Sequence, residues 1–241
     1  MSLFNKNHNK LDVESNRYGI DLIAKDYPTS IIAEQFRTIQ TNLLFSKANG
    51  KLRSIVITSG DPSEGKSTVS ANLAITWAKT GKRVCLVDCD MRRATVHKTF
   101  SLSNQHGLST YLAMNSDLDQ VVDPTSVKNL YVITSGPTPP NPSELVTSSQ
   151  MDSLLRVLYS YFDLVILDCP PVNSISDASI LSAKADGVVI IVPQGVALKS
   201  SVKAEVAQLK KVHARILGVI MNHVVKHKTD NNGYYYYYYY K

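Results

Sequence analysis

The stretch GDPSEGKST, residues 60–68, places glycine, lysine and hydroxyl residues at the spacing G-x-x-x-x-G-K-[ST]. Its members, all candidates for contact with a nucleotide, are Gly60, Asp61, Pro62, Ser63, Glu64, Gly65, Lys66, Ser67 and Thr68. Glycines let the backbone curl so that its N–H groups point at phosphate oxygens, and a helix that begins there adds the positive end of its dipole. The spacing therefore predicts that ATP binds here, with Lys66 at the β- and γ-phosphates, Thr68 at the α-phosphate and Ser67 on Mg²⁺.

Three aspartates directly follow apolar runs elsewhere in the chain. Asp88 and Asp90 end the run VCLVDCD, and Asp168 ends LVILD. Residues two apart on an extended chain point to the same side, so Asp88 and Asp90 can face one site. An aspartate at the end of a strand is also a common turn former, but three of them beside a phosphate-binding loop predict a shared Mg²⁺ site. A divalent ion and a triphosphate would offset the repulsion among these carboxylates.

The elements that must position these residues are short apolar runs separated by helical patterns. The strand candidates, which are rich in Val, Ile and Leu, are RSIVITS, RVCLVD, LYVIT, DLVILD, GVVIIV and ILGVIM. Continuous apolar strands are covered on both faces, and strand–helix alternation predicts a doubly wound, mainly parallel sheet of the α/β class. Ligands in such sheets bind at the carboxyl ends of the strands, where all of the residues above fall.

The chain divides into three parts by composition. Residues 1–28 are polar and lack periodicity, which predicts a flexible N-terminal arm. Residues 29–228 carry the alternating pattern of the phosphate-binding domain and begin with the amphipathic stretch IIAEQFRTIQTNLL. Residues 229–241 form a tail that contains a run of one residue type, Tyr234, Tyr235, Tyr236, Tyr237, Tyr238, Tyr239 and Tyr240. Such a run has no alternation with which to pair as a strand, so we expect a disordered tail that presents many equivalent hydroxyl groups.

Composition argues against several classes of protein. No apolar run reaches the roughly 18 residues that cross a bilayer, and the start lacks the apolar core of a signal peptide, so we expect a cytoplasmic chain. Three cysteines without a CxxC pair, Cys85, Cys89 and Cys169, predict buried thiols rather than a zinc or iron–sulfur site. The net charge of +6 is concentrated between Lys199 and Lys228, which favours a solvated helix face, with a weak footprint for acidic lipid or nucleic acid as the alternative. Because no recognition motif accompanies it, we expect no nucleic acid partner.

Together these motifs resemble those of the deviant Walker P-loop ATPases. The resemblance covers Gly60–Thr68 as Walker A, Val84–Asp90 as the hhhDxD element called Walker A′, and Leu164–Asp168 as Walker B. It implies the P-loop fold, ATP and Mg²⁺. The sequence GVIMN is similar to the strand whose asparagine contacts adenine in that superfamily, which would assign Asn222 to the base. A role for Asn222 as a cap or turn former is the alternative.

Within this superfamily, the chain resembles the bacterial tyrosine kinases of polysaccharide co-polymerase systems. DMRRATVHKTF is similar to their D-x-D-x-R element and GPTPPNPSELV to their proline-rich loop. EQFRTIQTN, with Glu34, Arg37 and Gln40, is similar to the E-x-x-R-x-x-R motif through which subunits of that family pack into a ring, although it also suits a plain amphipathic helix. Gln40 stands where a second arginine is expected, so we expect an oligomer that is weaker or differently held.

The main alternative is a partition or septum-positioning ATPase, which acts as a nucleotide-driven assembly switch. Those proteins carry a signature lysine at the position that Asp61 occupies here. The tyrosine run at the end of the chain also favours the kinases, because that family ends in a tyrosine cluster.

The resemblance implies an ATP-dependent protein-tyrosine kinase that phosphorylates its own tail, Tyr234–Tyr240, and other protein substrates. The residues to which it gives a part in the chemistry are Lys66 and the loop amides at the phosphates, Ser67, Asp90 and Asp168 at Mg²⁺, and Asp88 at the tyrosine hydroxyl, which it would orient or deprotonate. Arg92 or Arg93 would neutralise charge or contact a neighbouring chain.

The resemblance also implies partners. In the gram-positive branch of the family the kinase is activated by the cytoplasmic end of a transmembrane protein, the polysaccharide co-polymerase. A peripheral position at the inner face of the membrane and a role in capsular or extracellular polysaccharide synthesis and export follow from it.

Overall fold

A computed structural model of the chain describes residues 17–46 and 51–224, so the tyrosine tail lies outside the described residues. The strands are β1 (Ser54–Ser59), β2 (Val84–Asp88), β3 (Asp123–Pro124), β4 (Leu130–Ile133), β5 (Leu164–Asp168), β6 (Val188–Pro193) and β7 (Ile216–Asn222). They form one sheet of order β3-β4-β2-β5-β1-β6-β7. All neighbours run parallel except the short antiparallel pair of β3 and β4.

Helices cover both faces of this sheet. Those with both ends described are α1 (Ile23–Asp26), α2 (Ile31–Phe45), α3 (Lys66–Lys79), α4 (Val96–Thr99), α5 (Leu108–Leu112), α6 (Leu118–Val121), α7 (Pro142–Thr147), α8 (Ser149–Tyr161), α9 (Asp177–Lys184) and α10 (Lys199–Lys211). Among the helices in these two ranges, none combines the length and the apolar character that a membrane span requires.

Two apolar cores lie on opposite faces of the sheet, because successive side chains of a strand point to opposite sides. In β1, Val56 joins the core that α8 and α9 cover, whereas Ile55 and Ile57 join the core that α3 covers. The predicted doubly wound, mainly parallel fold is confirmed, and each of the six predicted strand segments contains a strand. β3 is not among the predicted strands, because two residues that end in a proline carry no apolar pattern.

Parallel pairing gathers the predicted chemistry at one edge of the sheet. β2 and β5 pair with Asp88 opposite Asp168. β1 runs beside β5 and pairs Ile57 with Asp168, so the loop that follows β1 starts at the same edge. The two Walker strands and the phosphate-binding loop therefore converge, as expected for ligand sites in parallel sheets.

The segment 17–28 differs from the expected flexible arm, because it is fastened to the domain. Asn72 in α3 is buried, and its Oδ1 accepts the backbone N–H of Ala24 at 2.8 Å. Its Nδ2 donates to the carbonyl of Asp21 at 3.0 Å. Leu22 and Ala24 lie in the core that α3 covers. A segment without periodicity is thus ordered here because its backbone groups find partners on a neighbouring helix.

Candidate active site

The phosphate-binding loop joins β1 to α3 through a left-handed turn at Gly65. This residue has a φ of +92°, a conformation that side chains rarely adopt. A Cβ at Gly65 would lie 2.1 Å from Nδ2 of Asn222. The loop and the end of β7 are therefore packed so closely that glycine alone fits, and α3 begins at the next residue, Lys66.

Asn222, the candidate for adenine recognition, has both ends of its amide engaged. Nδ2 donates to the carbonyl of Glu64 at 3.2 Å, and Oδ1 accepts the backbone N–H of His223 at 2.9 Å. These contacts support the alternative in which Asn222 fixes the backbone where β7 ends. Recognition of adenine by Asn222 stays a prediction.

Asp168 brings the predicted Mg²⁺ ligands together at the start of α3. It is buried, and its Oδ1 accepts the Ser70 hydroxyl at 3.0 Å. Burial raises the pKa of Asp168, while a hydrogen bond from Ser67 and the charge of Lys66 oppose that rise. The hydroxyl of Ser67 and the carboxylate of Asp168 are thus adjacent, which is the arrangement that the sequence predicts.

Asp88 is buried beside Asp168 and accepts hydrogen bonds from backbone amides. Its Oδ1 accepts the N–H of Asp90 at 3.1 Å, and its Oδ2 accepts the N–H of Val96 at 3.3 Å. Burial raises the pKa of Asp88 well above its ordinary range, and the neighbouring carboxylates of Asp168 and Asp90 raise it further. The pair of Asp88 and Asp168 is therefore costly to charge fully unless cations approach it.

The turn after β2 connects the site to the proline-rich loop. Asp90 lines the cavity described below, and its Oδ1 accepts the N–H of Arg93 at 3.1 Å. Arg92 contacts the buried carboxylate of Asp177 at 2.6 Å and donates to the hydroxyl of Ser143 at 3.1 Å. Asp177 and Ser143 carry no sequence signal, because no local pattern marks side chains that meet only in the folded chain.

A cavity of about 610 Å³ opens at this edge of the sheet, and Asp90 lines it whereas Asp88 and Asp168 do not. Its walls come from the N-terminal segment, the phosphate-binding loop, the turns after β2 and β5 and the end of β7, with the residues Tyr18, Gly19, Ile20, Asp21, Ile23, Pro62, Ser63, Gly65, Lys66, Ser67, Thr68, Asp90, Arg92, Arg93, Thr95, Pro170, Pro171, Ser174, Ile175 and His223. The volume is in the range of small-molecule sites. The wall of this cavity thus includes four of the predicted residues, Lys66, Ser67, Thr68 and Asp90.

The residues of this cavity fit ATP and Mg²⁺. The start of α3 offers backbone N–H groups and the positive end of a helix dipole to phosphate. Mg²⁺ prefers oxygen ligands and keeps waters and phosphate oxygens, so the hydroxyl of Ser67 and the carboxylate of Asp90 in the cavity wall, with the buried carboxylate of Asp168 beside Ser67, are the residues that would hold it. Across residues 17–46 and 51–224, no group of three or more His, Cys, Asp or Glu is arranged as a metal site by itself. The three cysteines are buried free thiols, as predicted.

An acidic cluster that the sequence analysis misses lies behind the loop. Glu205 of α10 is fully buried, and neither carboxylate oxygen has a hydrogen-bond partner among the described residues. A Cβ at Gly60 would lie 3.4 Å from its Oε2. Burial, together with Glu64 and Asp61, raises the pKa of Glu205 to about 8 against the opposing charge of nearby Lys66. Glu205 is therefore mainly protonated at neutral pH.

The loop residue at the signature-lysine position faces the same helix. The hydroxyl of Ser201 in α10 donates to Oδ2 of Asp61, and the backbone N–H of Asp61 donates to Glu64 at 3.1 Å. Asp61 therefore fastens the start of the loop to α10. A lysine at position 61 could not accept this hydrogen bond.

The predicted oligomer motif on α2 divides between two faces of the helix. Glu34 and Arg37 are exposed and pair with each other, with Nε of Arg37 at 2.7 Å from the carboxylate, and Arg37 also donates to the carbonyl of Pro28 at 3.0 Å. Gln40 is buried against its own domain. Glu34 and Arg37 thus remain candidates for contact between subunits, whereas Gln40 points inward in this chain.

Comparisons with known sequences agree with this geometry. Residues 51–239 match the family described as ParA, NUBPL iron-transfer P-loop NTPase. The chain is 42% identical over 202 residues to the tyrosine-protein kinase YwqD of Bacillus subtilis, which covers 84% of this chain and 85% of the relative. It is 38% identical over 201 residues to the putative tyrosine-protein kinase CapB of Staphylococcus aureus, covering 83% and 88%.

Solved structures lead to the same group of proteins. The chimerical protein CapA2B2 superposes with a TM-score of 0.82 at 39% identity, covering 90% of this chain and 99% of that one. The kinase domain of the Escherichia coli tyrosine kinase ETK has a TM-score of 0.83 at 33% identity, covering 91% and 85%. The cell division ATPase MinD of Pyrococcus furiosus, at 24% identity and a TM-score of 0.61 over 70% and 71%, shares the fold alone.

The buried carboxyl of Glu205 predicts how stability depends on pH. Its pKa is about 8 in the folded chain and near 4.5 when unfolded, so the unfolded chain releases the proton first as pH rises. The contribution of Glu205 to the free energy of unfolding is therefore fully present below about pH 4.5 and is lost as pH rises through about 8. Glu205→Gln removes this pH-dependent loss. The urea midpoint of the variant minus that of the wild-type chain should therefore increase from about pH 5 to about pH 9.

The exposed variant Glu144→Gln is the matched control and should show no such widening. A constant difference between Glu205→Gln and the wild-type chain across this pH range would contradict a protonated Glu205.

Proposed function

The chain belongs to the bacterial tyrosine kinases of the P-loop NTPase superfamily, and on that basis we propose that it transfers the γ-phosphoryl group of ATP to tyrosine hydroxyls, first among them those of its own tail. The observation that carries the proposal is the single cavity that joins Lys66, Ser67 and Thr68 to Asp90. Relatives named as tyrosine-protein kinases, at 42% and 38% identity over more than four fifths of the chain, support it.

Phosphate binding is assigned to the loop and the start of α3. Phosphoryl transfer asks the protein mainly to position the reactants and to neutralise charge. Lys66 lies at the first position of α3 and lines the cavity, so its ammonium meets the β- and γ-phosphates together with the loop amides. Ser67 and Asp168, with Asp90, would hold Mg²⁺, which neutralises charge on the transferred group.

The hydroxyl group of the substrate tyrosine is proposed to approach the carboxylates at the end of β2. Asp88 is the proposed residue that orients or deprotonates it, and two backbone amides hold this carboxylate in place. A phenol has a pKa of about 10, so its proton leaves late, when the oxygen already attacks the phosphorus. Asp90, which reaches the cavity wall, is assigned to the surroundings of Mg²⁺.

The tail is the proposed acceptor, Tyr234–Tyr240. From Val224, the last described residue, to Tyr237 in its middle, a fully extended chain would span roughly 45 Å. A compact domain of this length has a radius of gyration of about 18 Å. The tail is therefore long enough for an active site in its own chain or in a neighbour.

Partners and pathway are proposed from the resemblance set out above. We propose a transmembrane co-polymerase as activator, a position at the inner face of the membrane through that partner, and a homo-oligomer that uses Glu34 and Arg37. These two side chains are exposed, as a contact between subunits requires. The proposed role is control of capsular or extracellular polysaccharide synthesis and export, and further protein-tyrosine substrates are included.

Lys66→Met should nearly abolish phosphate incorporation into the tail, because the loop loses the cation placed to meet the γ-phosphate. The measurement is incorporation from γ-labelled ATP, with circular dichroism to verify the fold. The matched control is Lys82→Met, which removes an exposed lysine outside the cavity and should label like the wild-type chain. ATP hydrolysis without any phosphotyrosine would instead indicate an assembly ATPase.

Changing all of Tyr234–Tyr240 to Phe should abolish tail labelling, whereas one Tyr→Phe change should reduce it only slightly. Each phosphate adds about −1.5 to −2 charges, and adjacent ones repel each other and the acidic site. Phosphorylation should therefore release tails and loosen the oligomer, which light scattering before and after ATP would measure. An assembly of unchanged size when fully phosphorylated would refute this release but not the kinase.

The purified chain should be a slow kinase that a peptide from the cytoplasmic end of its membrane partner accelerates severalfold. A scrambled peptide of the same composition is the control for charge alone. Full activity of the chain by itself, or equal acceleration by both peptides, would contradict the proposed two-component arrangement.

A further inference from the structure

Tyr18 lies in the wall of the cavity that holds the phosphate-binding loop. We propose that Tyr18 is a phosphoacceptor separate from the tail, modified by the active site of its own chain. The proposal rests on the kinase function proposed above. It follows from three properties of the N-terminal segment: where the segment is anchored, what its tyrosine faces and how exposed that tyrosine is.

The first anchor lies directly beside Tyr18. Gly19 has a φ of +83°, and a Cβ there would lie 2.6 Å from the backbone of Thr99, so the segment is pressed against the end of α4. The N–H of Ile20 donates to the Thr99 hydroxyl at 3.2 Å. The Cα atoms of Tyr18 and Gly19 are about 3.8 Å apart, so the tyrosine is one peptide unit from a fixed point.

The second anchor ties the segment to the helix that carries the catalytic lysine. Asn72 binds the backbone of Asp21 and Ala24 at 3.0 and 2.8 Å. It follows Lys66 by six residues of α3, which at the helical rise corresponds to about 9 Å along the axis. The segment is therefore held near the phosphate-binding loop by two independent contacts rather than suspended on a long linker.

The side chain of Tyr18, which precedes both anchors in the chain, is accessible to solvent. Its side chain is 69% exposed, so the hydroxyl is available for reaction. Asp90, Arg92 and Arg93 line the same cavity, and the guanidinium of Arg17 lies 5.2 Å from the centre of the Tyr18 ring. Tyr27 is equally exposed, at 67%, but lies outside the lining of this cavity. Exposure alone thus does not distinguish Tyr18, whereas its position does.

The proposed step is the same phosphoryl transfer that we propose for the tail. The phenolic oxygen of Tyr18 forms a bond to the γ-phosphorus of ATP, the bond from that phosphorus to the β,γ-bridging oxygen breaks, and ADP leaves with the electron pair. The phenolic proton passes to the carboxylate of Asp88, the residue proposed above to act on the tail tyrosines. ATP is the sole co-reactant.

Peptide mapping of the full chain after incubation with ATP and Mg²⁺ tests the site. Trypsin cleaves after Arg and Lys, so Tyr18 is the sole tyrosine of the peptide Tyr18–Lys25, Tyr27 falls in Asp26–Arg37, and the tail falls in Thr229–Lys241. We expect phosphate in Tyr18–Lys25 and in the tail peptide but not in Asp26–Arg37. Phosphate in the tail alone, or equal phosphate on Tyr27, would overturn the inference and leave the kinase function intact. No phosphate on any peptide would overturn the kinase function itself.

A mixture of two chains tests whether the transfer is intramolecular. An isotopically heavy Lys66→Met chain, which supplies acceptors but no activity, is incubated with the light wild-type chain. We expect phosphate on Tyr18 of the light chain and none on Tyr18 of the heavy chain. Heavy phosphorylated Tyr18 would show transfer between molecules and contradict the fixed position.

A pair of glycine variants tests the anchor. Gly19→Ala forces a side chain against the Thr99 backbone, so the ratio of Tyr18 phosphate to tail phosphate should fall severalfold. Gly81→Ala is the matched control, because Gly81 has a similar φ of +87° but no atom within 4 Å of the added Cβ. An unchanged ratio in Gly19→Ala, or an equal fall in both variants, would overturn the role of the anchored segment.

Discussion

The constraint on which this structure depends is the proximity of two buried carboxyl groups on adjacent strands. The parallel register of β2 and β5 sets Asp88 opposite Asp168, and both side chains are buried. Within residues 17–46 and 51–224, hydroxyl and amide groups donate to them, and Lys66 is the buried cation nearby. Burial and mutual repulsion therefore oppose full ionisation of both carboxylates, and a cation bound beside them would relieve that repulsion.

The loops around this pair are fixed by contacts between distant parts of the chain. Asn222 holds the phosphate-binding loop from β7, and Arg92 ties the turn after β2 to Asp177 at the start of α9. The first contact joins the end of β7 to the loop after β1, across the intervening strand β6, and the second joins the turn after β2 to the helix that follows β5. Contacts between distant parts of the chain therefore fix the loops at this edge, which suits a reaction that depends on alignment and charge.

The sequence predicts the local parts of this site and misses the distant ones. Continuous apolar runs and the glycine–lysine spacing are local signals. The apolar runs correctly indicate the strands and the sheet type, and the structure places the charge of Lys66 near Asp168. The contact of Arg92 with Asp177 spans 85 residues, and that of Ala24 with Asn72 spans 48, so no local pattern reveals them. Glu205 leaves one trace, as the single acid among the basic residues from 199 to 228, but only the fold shows that it faces inward.

Helix α10 has two chemically different sides. Lys203, Lys210 and Lys211 are exposed on its outer surface, whereas Ser201 and Glu205 face the start of the phosphate-binding loop. The same helix therefore presents a basic surface to solvent and contributes two inner side chains, Ser201 and Glu205, to the packing at the start of the phosphate-binding loop.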